Sequence, residues 1–122
     1  MQRRIAEQIF SDSVAGDDNG VAGFVLLKPF LPFPVFQKTG MLTYFIAPEA
    51  VGRGFGSRLL AQLTEDAKKK GMTMLVANMS SKNEASISFH RRHGFREAGN
   101  LAGVGEKFGE SFGVLWMQKA IE

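Results

Sequence analysis

The sequence predicts a single α/β domain, because two apolar strand-like segments are each followed by a helical pattern. Residues 41–47 (MLTYFIA) precede a leucine-rich stretch that begins near Gly56, and residues 72–77 (MTMLVA) precede a second helical stretch near Ser81. Strands that alternate with helices are typical of α/β sheets. At 122 residues and 44% hydrophobic, the chain fits one domain, residues 1–122, with a modest core.

The first half of the chain predicts a hairpin and then a loop. Residues 13–15 and 21–27 are strand-like and flank a turn at residues 16–20, while residues 5–10 could form a short helix. The next segment, KPFLPFPVF at residues 28–36, contains three prolines. Proline lacks a backbone N–H, so this segment predicts an irregular loop that displays aromatic side chains.

The second half predicts two helices and three strands. Leucines and alanines from residue 59 to residue 67 recur at helical spacing, and Gly71 suits the C-terminal cap of that first helix. Ser81 and Glu84 form an S-x-x-E capping box for a second helix, which Gly94 ends. The last strands are predicted at residues 96–104 and 113–119, after the strand at 72–77.

Composition narrows the chemistry. The chain has no cysteine, which excludes disulfides, thiolate metal sites and cysteine nucleophiles, and we expect no metal site. The formal net charge of +3 favours a small polyanionic ligand or weak nucleic-acid contact without establishing either. No segment approaches the roughly 18 apolar residues of a membrane span, and the start does not match a signal peptide. We expect a soluble, cytoplasmic protein that binds no membrane.

Three glycines, Gly52, Gly54 and Gly56, stand at alternate positions between the first apolar strand and its helix. A strand, a glycine turn and a helix present backbone N–H groups and the positive end of a helix dipole, which together suit a phosphate. The P-loop and the dinucleotide motif G-x-G-x-x-G both fail, because Ser57-Arg58 follows the last glycine and the spacing is G-x-G-x-G. The competing interpretation is a tight turn without a ligand.

Four motifs in order resemble a known family. From the N-terminus they are the proline-rich loop at 28–36, the glycine turn at 52–56 after YFIAPEA, and the segment NEASISFHRRHGF at 83–95. The fourth is a tail of VGEKFG at 104–109 with VLWMQ at 114–118. Together they resemble the GNAT N-acetyltransferase superfamily, and within it the phosphinothricin acetyltransferase-like family. The resemblance extends from about Ser13 to Lys119.

The resemblance implies a GNAT fold: a mixed, bent sheet flanked by helices and splayed between the family's fourth and fifth strands, with acetyl-CoA in the splay. The implied function is transfer of an acetyl group from acetyl-CoA to the primary amine of a small amino-acid-like metabolite. Carried over by position, the implied cofactor-binding residues are Thr43, Tyr44, Phe45, Val51, Gly52, Arg53, Gly54, Phe55, Gly56, Ser57, Asn83 and Ser86.

The implied catalytic residue is His90, which occupies the position where many relatives carry an acidic tyrosine. Its imidazole could protonate the leaving thiolate, whereas the alternative is a helix histidine bonded to a carbonyl. Met41 occupies the position of the family's glutamate, and a thioether cannot accept the proton of the substrate ammonium. His93 precedes the cap glycine and is expected on the surface.

The implied substrate-binding residues are Phe33, Val35 and Met41, in a mostly apolar pocket. Leu31 replaces an arginine of the family loop, and Gly113 replaces an aspartate of the tail. These departures leave a second class open: an acyl-CoA-binding protein with weak or no catalysis that acts as a sensor or interaction module. Nucleic-acid binding is not expected, because the aromatic residues lie in apolar segments rather than among basic ones.

The resemblance also places a strand and most of two helices before the hairpin, where this sequence has only a short segment. Those elements cover a sheet edge in the family. Either a partner subunit covers that edge here or the sequence is a fragment with an open pocket. We expect a homodimer.

Overall fold

The computed structural model describes residues 11–17, 20–46 and 54–121, which form one six-stranded sheet with two α-helices. The helix predicted at residues 5–10 lies outside these residues. In chain order the elements are β1 (Ser11–Asp17), β2 (Gly20–Pro29), a short 3-10 helix (Pro34–Phe36), β3 (Thr39–Ile46), α1 (Phe55–Lys69), β4 (Met74–Ser80), α2 (Glu84–Arg92), β5 (Arg96–Lys107) and β6 (Glu110–Ala120).

The strand order across the sheet is β1-β2-β3-β4-β6-β5, and only β3 and β4 are parallel neighbours. The predicted α/β class and mixed sheet are confirmed. The hairpin of β1 and β2 and the final pair of β5 and β6 are also confirmed, although β5 extends to Lys107 and β6 begins at Glu110. Part of the proline-rich loop is more regular than predicted, because Pro34 starts a single 3-10 turn.

The predicted capping box at Ser81 is wrong. Asn83 caps α2 instead, and its Oδ1 accepts a hydrogen bond from the Ser86 N–H at 3.1 Å. Ser81 is held by β6, because the Gly113 N–H donates to its Oγ at 2.9 Å and its own N–H donates to the Gly113 carbonyl at 2.8 Å. Asn83 is the cap because its side chain accepts a hydrogen bond from a first-turn N–H, whereas the Ser81 hydroxyl already accepts one from Gly113.

The core lies between the helices and one face of the sheet. Helix α1 packs on β1, β2 and β3, and two half-buried residues of α2, Ile87 and Phe89, pack against the same cluster. The buried members are Val25, Leu27, Leu42, Leu59, Leu60, Leu63, Ala67, Met72, Leu75, Ala77, Met79, Phe95, Leu115, Met117 and Ile121. The helical spacing predicted for α1 is therefore the spacing of its core face.

The sheet opens in its middle. The paired residues of β3 and β4 run from Thr39 opposite Met74 to Leu42 opposite Ala77, and no pair follows. Beyond that point, within residues 20–46 and 54–121, β3 pairs only with β2, and β4 only with β6. This opening confirms the predicted splay, which falls between the third and fourth strands of this chain because the described residues lack the family's first strand.

Candidate functional site

Gly54 forms the entry to α1, the helix that follows β3 in the chain. It is the N-cap, with φ of +83°, in the left-handed region that favours glycine. Among the residues that the structure describes, none has an atom within 4 Å of a Cβ built at this position. The first turn of α1 contains no acidic residue, and helix geometry leaves its leading N–H groups without an intrahelical acceptor. The turn can therefore accommodate an anion.

Gly56 has a different requirement. A Cβ there would lie 3.2 Å from Cε1 of Phe89, so this glycine lets α2 pack closely against the start of α1. Gly56 therefore supports the competing interpretation, in which a glycine of this turn has a structural role rather than a ligand. The remaining predicted turn residues, Val51, Gly52 and Arg53, lie outside the described residues.

Ser57 and His93 join the two helices next to this turn. Ser57 Oγ lies 2.8 Å from His93 Nε2, and the His93 ring lies 4.5 Å from the ring of Phe89, centroid to centroid. His93 is half-buried rather than fully on the surface. Its pKa is lowered by partial burial and then by the charges of Lys119 and Arg92.

Other predicted cofactor residues lie on β3 beyond its last pair with β4 and at the start of α2. Thr43 is exposed, and the backbone of Thr43, Tyr44 and Phe45 pairs with β2 on one side only. On the α2 side, Asn83 is exposed while Ser86 is half-buried. Their role in holding the cofactor stays a prediction.

His90 is buried, with 2% of its surface exposed. Its Nδ1 lies 2.8 Å from the Ser86 carbonyl oxygen, so this nitrogen donates and carries the proton. The rings of Phe89 and Phe95 contact the imidazole edge-on at 5.2 and 5.0 Å. Burial, the largest effect, lowers the pKa of His90, the bond to Ser86 raises it and His93 lowers it. This environment holds the ring neutral and favours the alternative of a carbonyl-bonded helix histidine.

Met41 lies on the sheet face opposite the helices. It is half-buried and pairs in register with Lys28 and Val76, and the Asn78 amide nitrogen lies 4.0 Å from its sulfur. Asn78 stands directly opposite Trp116 of β6. These neighbours give Met41 a polar contact but no carboxylate.

The predicted substrate residues do not all meet. Phe33 and Val35 are 60% and 83% exposed, and neither contributes to the buried core. Phe30 is the aromatic residue that anchors the loop, since its ring lies 6.0 Å from Phe36 and 6.4 Å from Trp116. The apolar wall beside Met41 and Asn78 is therefore built by Phe30 and Trp116.

Comparison with known proteins decides the family. The model of the acetyltransferase (GNAT) family matches residues 3–95. The chain belongs to this family. None of the helices among residues 54–121 is long and apolar enough to span a membrane.

Similar proteins include a bacterial enzyme and two solved structures. The L-methionine sulfoximine/L-methionine sulfone acetyltransferase of Pseudomonas paraeruginosa is 36% identical over 93% of this chain and 66% of its own length. The ribosomal-protein-alanine N-acetyltransferase structure from Brucella melitensis is 37% identical, with a TM-score of 0.85 over 98% of this chain and 73% of its own. A GNAT phosphinothricin acetyltransferase from Sinorhizobium meliloti, in complex with acetyl-CoA, is 27% identical, with a TM-score of 0.84 over 90% and 60%. The chain spans about two thirds of the curated relative's length.

Three residues of the candidate site were not predicted from the sequence or were expected on the surface: Asn78, Trp116 and His93. Asn78 is the one exposed position within β4. A polar residue inside the apolar segment MTMLVANMS is a usable signal for a residue that faces a site. Nothing local distinguishes His93, because its partner lies 36 residues away.

We expect His90 to make stability depend on pH. Its folded-state pKa lies below the ordinary value of 6.5, so below pH 6.5 the unfolded chain binds a proton that the folded protein refuses. The free energy of unfolding should be fully retained above that pH and fall below it, by at most about 1.4 kcal/mol per pH unit for one group. Chemical denaturation across this range measures the slope.

The variant His90→Gln should flatten that acid slope, whereas His93→Gln, at a less buried site, should leave most of it. An unchanged slope in His90→Gln would show that the imidazole is already solvated in the folded protein.

Proposed function

We propose that the protein is an acetyl-CoA-dependent N-acetyltransferase that acts on the primary amine of a small amino-acid-like metabolite. The observation that supports this most strongly is the end of β3–β4 pairing at Leu42 and Ala77, which opens the sheet on the strand that leads to the Gly54 cap of α1. The Pseudomonas relative is an L-methionine sulfoximine/L-methionine sulfone acetyltransferase, which supports an amino-acid-like acceptor.

The chain fits the cofactor in two respects. The first turn of α1 combines leading N–H groups, no acidic residue and a Gly54 with open space at its Cβ position, which suits a diphosphate. The unpaired side of β3 at Thr43, Tyr44 and Phe45 offers backbone groups to an amide-bearing chain. When bound, acetyl-CoA supplies the acetyl thioester. We propose that it is held by the cofactor-binding residues implied by the resemblance: Thr43, Tyr44, Phe45, Val51, Gly52, Arg53, Gly54, Phe55, Gly56, Ser57, Asn83 and Ser86.

The acceptor side must deliver a neutral amine. Met41 cannot accept a proton, and the adjacent Asn78 amide can orient an amine or a water but cannot act as a base near neutral pH. Phe30 and Trp116 add an apolar wall that excludes water. Phe33 and Val35 stay proposed substrate contacts at the exposed part of the loop, and protonation of the thiolate by His90 stays a prediction.

The proposed function is tested by thiol release from acetyl-CoA in the presence of single amines. The panel contains methionine sulfoximine, methionine sulfone, phosphinothricin, free amino acids, a polyamine and a peptide that begins with alanine. We expect amine-dependent release with an amino-acid-like acceptor, at a rate that rises with pH as the amine loses its proton. Release for the peptide alone would reject the small-metabolite acceptor.

A second candidate is favoured by Met41, whose contact with Asn78 fills the position of the family's glutamate. In that case the protein binds acyl-CoA with little or no catalysis, as a sensor or interaction module. Saturable CoA binding with no amine-dependent thiol release across the panel would support this candidate and reject the enzyme.

We also propose a cytoplasmic homodimer. Among the described strands, β1 forms one edge of the sheet and pairs only with β2, while β5 forms the other edge. Leu101 and Val104 of β5 are 53% and 60% exposed, and Phe108 beside them is 93% exposed. Open edges and exposed apolar side chains favour association.

Light scattering at tens of micromolar, an order-of-magnitude working range, should give twice the chain mass. A monomer would reject the dimer, and recovery outside the cytosolic fraction would reject the location.

A further inference from the structure

The hydrogen bond between Ser57 and His93 lies where the diphosphate is proposed to bind. Ser57 belongs to the first turn of α1, and His93 is the C-cap of α2. The Oγ to Nε2 distance is 2.8 Å, and contact with the Phe89 ring holds the imidazole in place. Gly56 permits this arrangement, because it leaves room for the same phenyl ring.

The number of hydrogens in this pair limits what Ser57 can do. A serine hydroxyl has one hydrogen to donate, and a phosphate oxygen can only accept. When His93 Nε2 carries no hydrogen, the hydroxyl hydrogen points to the imidazole. When Nε2 carries one, it donates to Oγ, and the hydroxyl hydrogen can point to a phosphate. Binding therefore favours the forms of His93 that are protonated at Nε2.

The charges around His93 also favour its protonation once an anion is bound. Lys119 faces it from β6, and Arg92 and His90 lie on its own helix, whereas α1 presents the neutral Ser57 hydroxyl. In the ligand-free protein, partial burial and the two cations lower the pKa of His93. A diphosphate at the first turn of α1 would offset the repulsion from these cations and so raise the pKa of His93.

We propose that His93 is a positioning residue for the CoA diphosphate: it donates from Nε2 to Ser57, releases the Ser57 hydroxyl to a phosphate oxygen, and takes up a proton as the cofactor binds. The inference rests on the proposed acetyl-CoA function. Cofactor affinity should rise as the pH falls from neutral to below the ordinary histidine value of 6.5 and level off once His93 is protonated without ligand.

Calorimetry with dephospho-CoA tests this, because the monoester phosphate of CoA itself titrates at about pH 6. Titrations in two buffers with different ionisation enthalpies give the number of protons taken up. For the parent protein we expect uptake of a fraction of a proton at about pH 6.5 and affinity up to about tenfold higher at low pH, the effect of one hydrogen bond to a charged group. The imidazole NMR titration of His93 should shift to higher pH when ligand is added.

Two substitutions separate donation from titration. His93→Gln retains an amide donor without a titrating group, so it should bind dephospho-CoA without proton uptake or pH dependence. His93→Leu should lose about tenfold in affinity at low pH. In a Ser57→Ala background, proteins with histidine or leucine at position 93 should bind dephospho-CoA with the same affinity. The hydroxyl through which His93 acts on the phosphate is then absent. Arg92→Gln, which removes a neighbouring charge, should retain proton uptake.

Proton uptake that persists in His93→Leu would overturn the inference, as would equal affinities of the parent and His93→Leu at low pH. In both cases the cofactor still binds, so the proposed function stands. No dephospho-CoA and no CoA binding by the folded parent protein would overturn both. Thermal melting confirms that each variant is folded, and His93→Gln provides the test if His93→Leu is not.

Discussion

Gly54→Val should weaken CoA binding by well over tenfold, a loss of more than about 1.4 kcal/mol. The side chain would enter the space that is open in front of α1, where the cofactor diphosphate is proposed to lie. Its branched Cβ would also strain the backbone at φ of +83° and disturb the first-turn N–H groups. Calorimetry with CoA measures the loss.

Gly71→Val is a matched control. Gly71 follows the other end of α1, has φ of +82° and also has no atom within 4 Å of its Cβ position. Both variants should therefore lose a similar amount of stability, on the order of 1–2 kcal/mol for one left-handed residue with a side chain. Only Gly54→Val should lose CoA affinity. Equal affinities in the two variants would remove the cofactor from this turn.

Met41→Glu should raise turnover at about pH 7 by roughly 100-fold or more on an accepted amine, because it supplies the general base that the thioether cannot. The Asn78 amide, now 4.0 Å from the sulfur, is in reach to hold the carboxylate. Lys28, the register partner of Met41, would favour the charged form. The rate should also depend less on alkaline pH, which rate measurements across pH would show.

Met41→Gln is the control, since it has the shape and polarity of glutamate without a base. It should leave turnover near that of the parent protein. If glutamate and glutamine give the same pH profile while CoA binding is intact, Met41 is a packing residue and the base lies elsewhere. The glutamate variant should be somewhat less stable, because a half-buried charge is costly to desolvate.

The order of strands and helices could be predicted because it is encoded locally. The apolar spacing of Leu59, Leu60, Leu63 and Ala67 matches the core face of α1, and Gly71 ends that helix in a left-handed turn as expected. The segment at 41–47 includes most of β3. Hydrophobic period and glycine position depend only on neighbours in the chain, so they can be read from one sequence.

The contacts that shape the site could not be predicted in this way, because each joins distant segments. Gly56 meets Phe89, Ser57 meets His93, and Met41 meets Asn78. Competition between nearby caps was also misjudged, since Asn83 outcompetes Ser81 for α2.

Gly113 shows the same limit. In the sequence it stands where the resemblance implies an aspartate. In the fold a Cβ at this position would lie 2.6 Å from Asn100 Oδ1 and 2.9 Å from the Leu101 carbonyl oxygen. The close approach of β5 therefore leaves no room for a side chain at this position, a constraint that only the folded sheet reveals.

We propose that the cofactor lies between the splayed strands and the start of α1. A two-dimensional NMR titration of the labelled protein with CoA tests it most directly. We predict that the amides of Gly54, Gly56 and Ser57 shift together with those of the unpaired end of β3 from Thr43, while the β5–β6 hairpin around Phe108 does not change. Shifts confined to that hairpin, or no shifts at saturating CoA, would contradict the account.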